Sequence, residues 1–176
     1  MTSRWGLAML GLLMGCSPID PIHQSQRSAL GPESPAIPIG PRHRPGQPCA
    51  VCHGEGDDAP PFSVAGTVYR DDLSTLPLAD VAIELVDAQK RTFVAHTNCA
   101  GNFFVTPSEF TPVAPFWISL RFGDNVAVME SPIHREPSCA ACHGDPISRQ
   151  SAGHVFLTAD DLVANKITPR PCRPDE

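Results

Sequence analysis

The sequence predicts an all-β protein, a small antiparallel sandwich, and two observations carry that prediction. Three runs between residues 62 and 130 keep a strict period of two: Val64, Gly66 and Val68 against Ala65, Thr67 and Tyr69; Val81, Ile83 and Leu85 against Ala82, Glu84 and Val86; Phe116, Ile118, Leu120 and Phe122 against Trp117, Ser119 and Arg121. Such alternation turns one face of each strand inward. Turn-forming residues then punctuate the runs at Asp87–Lys90, Asn98–Gly101 and Gly123–Asp124. Further strands are expected at Arg91–Thr97, Asn102–Thr106 and Asn125–Met129, and six or seven strands make two layers around one core.

Upstream of the strands the chain reads as export and tethering. Arg4 supplies a positive start, Trp5–Leu12 a short apolar run, and Leu13-Met14-Gly15-Cys16 resembles the lipobox of bacterial lipoproteins. Residues 1–15 are then a signal peptide and Cys16 the lipid-bearing N-terminus; the alternative is an ordinary signal peptide cut elsewhere. Residues 16–48 follow as a tether, with eight prolines between positions 17 and 48 and no apolar periodicity. Stiff proline-rich chain extends about 3.1 Å per residue, so a reach on the order of 100 Å is expected of it.

One five-residue signature occurs twice, as Cys49-Ala50-Val51-Cys52-His53 and Cys139-Ala140-Ala141-Cys142-His143. C-x-x-C-H is the attachment pattern of c-type haem: two thiols spaced by two residues bond to the two vinyl groups of one porphyrin, and the adjacent imidazole reaches the iron. The flanks repeat as well, with His43-Arg44 and His134-Arg135 before the motifs and Gly54-Glu55 and Gly144-Asp145 after them. The signature resembles that of c-type cytochromes and implies two covalent haems, on Cys49 with Cys52 and on Cys139 with Cys142, and axial iron ligation by His53 and His143. Residues 49–145 are therefore expected to form a haem-binding β-sandwich domain flanked by two C-x-x-C-H loops.

Covalent haem attachment occurs outside the bacterial cytoplasm, where free thiols also tend to oxidise. Of seven cysteines, Cys16 takes lipid and four take haem, which leaves Cys99 and Cys172 as a candidate disulfide.

Gly66-Thr67-Val68-Tyr69, Pro77-Leu78-Ala79-Asp80-Val81-Ala82-Ile83, and Thr97-Asn98 with Gly101-Asn102-Phe103 resemble carboxypeptidase regulatory-like domains over about residues 62–130. That resemblance implies a transthyretin-like, Ig-like sandwich and a non-catalytic accessory module. Cys99 in the turn departs from the pattern and suggests an added crosslink.

For the sixth iron ligands the candidates are His43, His134 and His154. His43 and His134 precede their motifs by six and five residues, as a repeated module would place them, against the alternative of solvent-exposed linker histidines. His154 lies in a short apolar segment able to fold back over haem. His96 reads better as a sheet-surface residue, Met129 equally well as a strand end, and His23 as part of the tether. Two-histidine ligation gives a lower potential than histidine with methionine.

Residues 146–176 are expected to form a tail, with a short helix beginning at Thr158-Ala159-Asp160-Asp161 and running to Asn165. Loss of residues 1–15 removes Arg4 and leaves 12 Lys and Arg against 19 Asp and Glu. No basic patch argues for nucleic acid, and no phosphate loop, hydrolase triad or H-E-x-x-H helix is present. The expected function is an electron carrier rather than an enzyme, lipid-anchored in the bacterial envelope at the outer membrane, facing periplasm or cell surface, with other envelope redox proteins as partners. Two alternatives keep the same residues. In one, the C-x-x-C pairs bind zinc or form disulfides in a non-catalytic binding or structural module, though 86 intervening residues are long for a zinc ribbon; in the other they exchange thiols and disulfides, a role that usually rests on a βαβ scaffold.

Overall fold

The computed structural model describes residues 20–72, 75–144, 147–158, 168 and 170–173. The signal segment, Cys16, and nearly all of the expected tail helix lie outside the described residues. Seven strands form two sheets: β1 (Val64–Tyr69), β2 (Ala82–Val86), β3 (Thr92–His96), β4 (Asn102–Val105), β5 (Trp117–Phe122), β6 (Asn125–Val128) and β7 (Val155–Phe156). One sheet runs in the order β4-β1-β7 and the other β3-β2-β5-β6. All pairings are antiparallel except β1 with β7. The fold is therefore all-β and two-layered.

Alternation sets the core as the sequence requires. Ile83 and Leu85 of β2 and Ile118 and Leu120 of β5 are buried, Glu84 and Trp117 are exposed, and the inward residues meet Val64, Val68, Phe103 and Val105 from the facing sheet. The turn after β2 is held by the buried Asp87 carboxylate, which accepts from the backbone N–H of Gln89 (2.8 Å), Arg91 (2.9 Å) and Val113 (3.2 Å) and from Arg91 Nε (2.8 Å). Burial alone would raise this carboxyl, but those donors outweigh it and hold it below the usual carboxylate range. At Gly101, with φ of +73°, an added Cβ would collide with the Val68 carbonyl, so the turn before β4 requires glycine.

β1 departs from simple alternation: all six of its residues are buried. The cause is chain added from beyond the sandwich. Ala65 pairs in parallel with Ser138, its N–H donating to the Pro137 carbonyl at 2.8 Å, and Val68 and Tyr69 pair with β7. The segment 153–157, expected to lie over haem, thus contributes an edge strand as well.

The tether differs most from expectation. Residues 20–48 do not extend as a free spacer; they pack back on the body. α1 (Pro21–Ala29) begins at Asp20, whose side chain accepts from Ile22 N–H (2.9 Å), with Pro21 in the first turn, and it stops before Gly31 at φ +69°. Arg44 then ties the segment together through Glu33 Oε1 (2.6 Å), the carbonyls of Leu30 (3.0 Å) and Gly31 (2.6 Å), and Gln47 (2.7 Å). Asn98 and Asn102 donate to the Pro41 carbonyl at 2.7 and 3.2 Å, fastening it to the β3–β4 turn. The described part of the tail is pinned by a Cys99–Cys172 disulfide and by Arg170 on Asp80 (2.5 Å). Among the described residues no helix is long and apolar enough to cross a membrane.

Candidate functional site

The two C-x-x-C-H segments fold alike. Each forms a single 3-10 turn, Cys49–Val51 and Cys139–Ala141, in which the N–H of the second cysteine and of the histidine both return to the carbonyl of the first cysteine. Those bonds measure 3.1 and 2.9 Å in the first motif and 3.1 and 2.8 Å in the second. The tight turn is what brings two thiols three positions apart onto one side of the chain. The glycine after each histidine is tethered too: Gly54 N–H donates to Asp57 (3.0 Å) and Gly144 N–H to Ser151 Oγ (2.8 Å).

Both motif histidines have the same ring nitrogen engaged by backbone. His53 Nδ1 lies 2.7 Å from the Pro60 carbonyl, and His143 Nδ1 lies 3.1 Å from that of Gly153. A carbonyl only accepts, so Nδ1 carries a proton, and in the neutral ring it is Nε2 that offers a lone pair to a metal. His53 is further clamped by stacking on Phe62 (ring centroids 4.0 Å apart), which stacks on Phe104 (4.8 Å).

β1 carries both motifs. The second is seated by the Ala65–Ser138 bridge, and Gly66 makes room for it: a Cβ there would stand 2.7 Å from Cys139 Sγ and 2.8 Å from its Cβ. The first is hung from the same strand through Thr67, whose Oγ1 accepts from Gly46 N–H (2.8 Å) and donates to Asn102 Oδ1 (2.7 Å), while Asn102 donates to the His43 carbonyl (3.1 Å). Burial pushes the Cys49 thiol up to about 11, with charge on Cys52 adding to it. Burial likewise pushes Cys139 up to about 12, with charge on Cys49 the next contribution.

Each motif opens onto its own cavity. One of about 260 Å³ is bounded by Cys49, Cys52 and His53 with His43, Arg44 and Phe104. The other, about 470 Å³, is bounded by Cys139, Cys142 and His143 and continues the sandwich core through Val64, Ile118 and Leu120. Apolar walls with a few polar groups are what a porphyrin face requires. Ser138 Oγ, buried and without a hydrogen-bond partner among the described residues, sits on the wall of the larger cavity. At each place a thiol pair, an imidazole and an apolar cavity stand together, the groups that would hold and cover a covalent haem.

The sixth-ligand candidates separate by environment. His43 faces its motif: its ring lies 5.8 Å from that of His53, tilted by 40°, and its Nδ1 is engaged by the Gly40 carbonyl. Placed so, His43 and His53 would be the pair to hold one metal at this motif. His134 is exposed and borders the larger cavity, as do Arg135 and Met129. His154 borders it as well, but its Nε2 lies 2.9 Å from the Asp71 carbonyl and its ring packs on Tyr69 (4.5 Å), so the atom most suited to iron is already committed. His96 is exposed on β3, and His23, on α1, lies 3.0 Å from Asp57. The roles of Pro60, Gly153, Gly66 and Phe62 escape a reading of the motifs alone; the repeated flanks on either side of the motifs are the sequence signals that point beyond them.

No protein-family model matches this sequence, and neither the curated proteins nor the solved structures compared with it contain a match.

Proposed function

We propose that this chain is an exported, lipid-anchored c-type cytochrome that carries two haems and passes single electrons in the bacterial envelope. The observation that carries the reading is the duplicated site: two C-x-x-C-H turns of the same backbone geometry, each with a histidine held through Nδ1 and each facing an apolar cavity. Bound haem supplies the one-electron chemistry. Cys49 with Cys52 and Cys139 with Cys142 would hold the two groups covalently, and His53 and His143 would supply the proximal imidazoles.

The echoed flanks fit the same reading. His43-Arg44 and His134-Arg135 each line the cavity of the motif they precede, which supports His43 and His134 as sixth ligands; Arg135 would serve as a counter-charge for the acidic edge of the second group, while Arg44 is already paired with Glu33. His43 is the better positioned of the two. A zinc centre, by contrast, needs about four converging ligands, and among the described residues no three His, Cys, Asp or Glu side chains converge. Thiol exchange calls for a lowered thiol pKa, whereas Cys49 and Cys139 are raised. The sandwich is a rigid scaffold in this account and supplies no catalytic residue.

Cleavage before Cys16 and lipidation there would place the protein at the outer membrane, with other envelope redox proteins as partners. Because residues 20–48 pack on the body, the sites would ride close to the lipid rather than at the end of a long tether. A haem-stained denaturing gel, on protein expressed with and without c-type maturation machinery, tests the reading. Colour that survives denaturation and depends on that machinery supports it, and a folded colourless chain from maturation-competent cells removes it.

A further inference from the structure

The two cavities are walled by different residues except at one position. Phe103 of β4 borders both, with its neighbours Asn102 and Phe104 turned to the smaller cavity and Val64 of β1 to the larger. Its ring is buried in the core, and it reaches Gly66, where a Cβ would meet Phe103 Cε1 at 3.0 Å and Cys139 Sγ at 2.7 Å. The same strand that seats Cys139 is bound through Thr67 to the loop before Cys49. Side chains alternate along β4, so with Asn102 and Phe104 turned to the smaller cavity the Phe103 ring lies on the opposite face, beside Cys139, and the strand itself is the partition between the sites.

We infer that the two motifs build one composite site, in which β4 at Phe103 is the common wall that sets the two porphyrin cavities against each other. The inference rests on the two-haem reading above. Its consequence is that neither cavity is independent: any shift of β4 at Phe103 opens one wall as it closes the other. A core strand is well suited to this, because it is held by packing rather than by a mobile loop.

The test compares the holoprotein with two single-site forms, Cys49→Ala with Cys52→Ala, and Cys139→Ala with Cys142→Ala. Soret circular dichroism reads neighbouring haems through a paired positive and negative band that an isolated haem lacks. The two-haem protein is expected to show such a band, at least twofold larger than the summed spectra of the two single-site forms. Phe103→Leu keeps the core apolar and should alter the Soret spectrum of both single-site forms. A wild-type spectrum equal to the sum, or a Phe103→Leu effect confined to one single-site form, would overturn the composite site. A chain that binds no covalent haem fails at the staining step instead, which removes the earlier reading and is told apart from failure of this one.

Discussion

Gly66→Ala places a methyl group where β1 meets the second motif, and the outcome can be worked out from three contacts. The new Cβ would lie 2.7 Å from Cys139 Sγ, 2.8 Å from Cys139 Cβ and 3.0 Å from Phe103 Cε1. Comfortable carbon contacts begin near 3.5 Å, so Cys139 must retreat by about 0.8 Å or β1 must bend. Neither neighbour yields easily, since Cys139 is fixed by the Ala65–Ser138 bridge and Phe103 lies in the core. Overpacking of this kind costs about 1–3 kcal/mol, offset by about 0.5–1 kcal/mol from the lower backbone entropy of alanine. A net loss of about 1–2 kcal/mol, at a urea slope of about 2 kcal/mol/M, lowers the unfolding midpoint by about 0.5–1 M. Urea unfolding followed by tryptophan fluorescence measures that. Haem staining in the single-site forms should show attachment impaired at Cys139 and Cys142 but not at Cys49 and Cys52. A variant as stable as the parent, with attachment intact at the second motif, would refute the seating role of Gly66.

Other outcomes follow from the same geometry. His43→Ala should convert one of two haems from a low-spin to a high-spin ferric spectrum and let it bind carbon monoxide; an unchanged spectrum removes His43 as a ligand. Replacing Cys99 and Cys172 by serine opens a loop closed over 73 residues, and chain entropy sets the loss at up to about 4 kcal/mol, read as a lower midpoint under non-reducing conditions. In apoprotein at pH 8, thiols at about 11 and about 12 are only about 0.1% and 0.01% thiolate, so iodoacetamide should label exposed Cys142 at least tenfold faster than Cys49 or Cys139; equal rates by mass spectrometry would contradict the burial described for them. Asp87 has a lowered folded pKa, so its contribution is present above the unfolded carboxylate value and is lost as pH falls through the folded one. Asp87→Asn should therefore flatten the decline in stability between neutral pH and acid.

Strand positions were legible because apolar alternation is written directly into β2 and β5, and the turns carry their own residues. β7 was not, since two residues paired to β1 leave no periodic signal, and its position depends on where the second motif sits. α1 hid in proline-rich composition, although Asp20-Pro21 is a helix start that the count of prolines obscured. The cysteines and histidines of the motifs stood out by spacing alone. Their supports did not, because the Pro60 and Gly153 carbonyls and the Phe103 wall reach the site only through long-range folding. His154 illustrates the reverse case: an apolar neighbourhood suggested a ligand, while the fold gave its Nε2 to the Asp71 carbonyl.

The most direct test of the account is the number of covalent haems per chain, measured by alkaline pyridine spectrum against protein mass after expression with c-type maturation machinery. The account predicts two for the parent protein and one for each form lacking a single motif's cysteine pair, with a reduced-minus-oxidised spectrum of c-type haem in all three. A folded parent protein with no covalent haem, or one whose cysteines instead hold zinc, would contradict it.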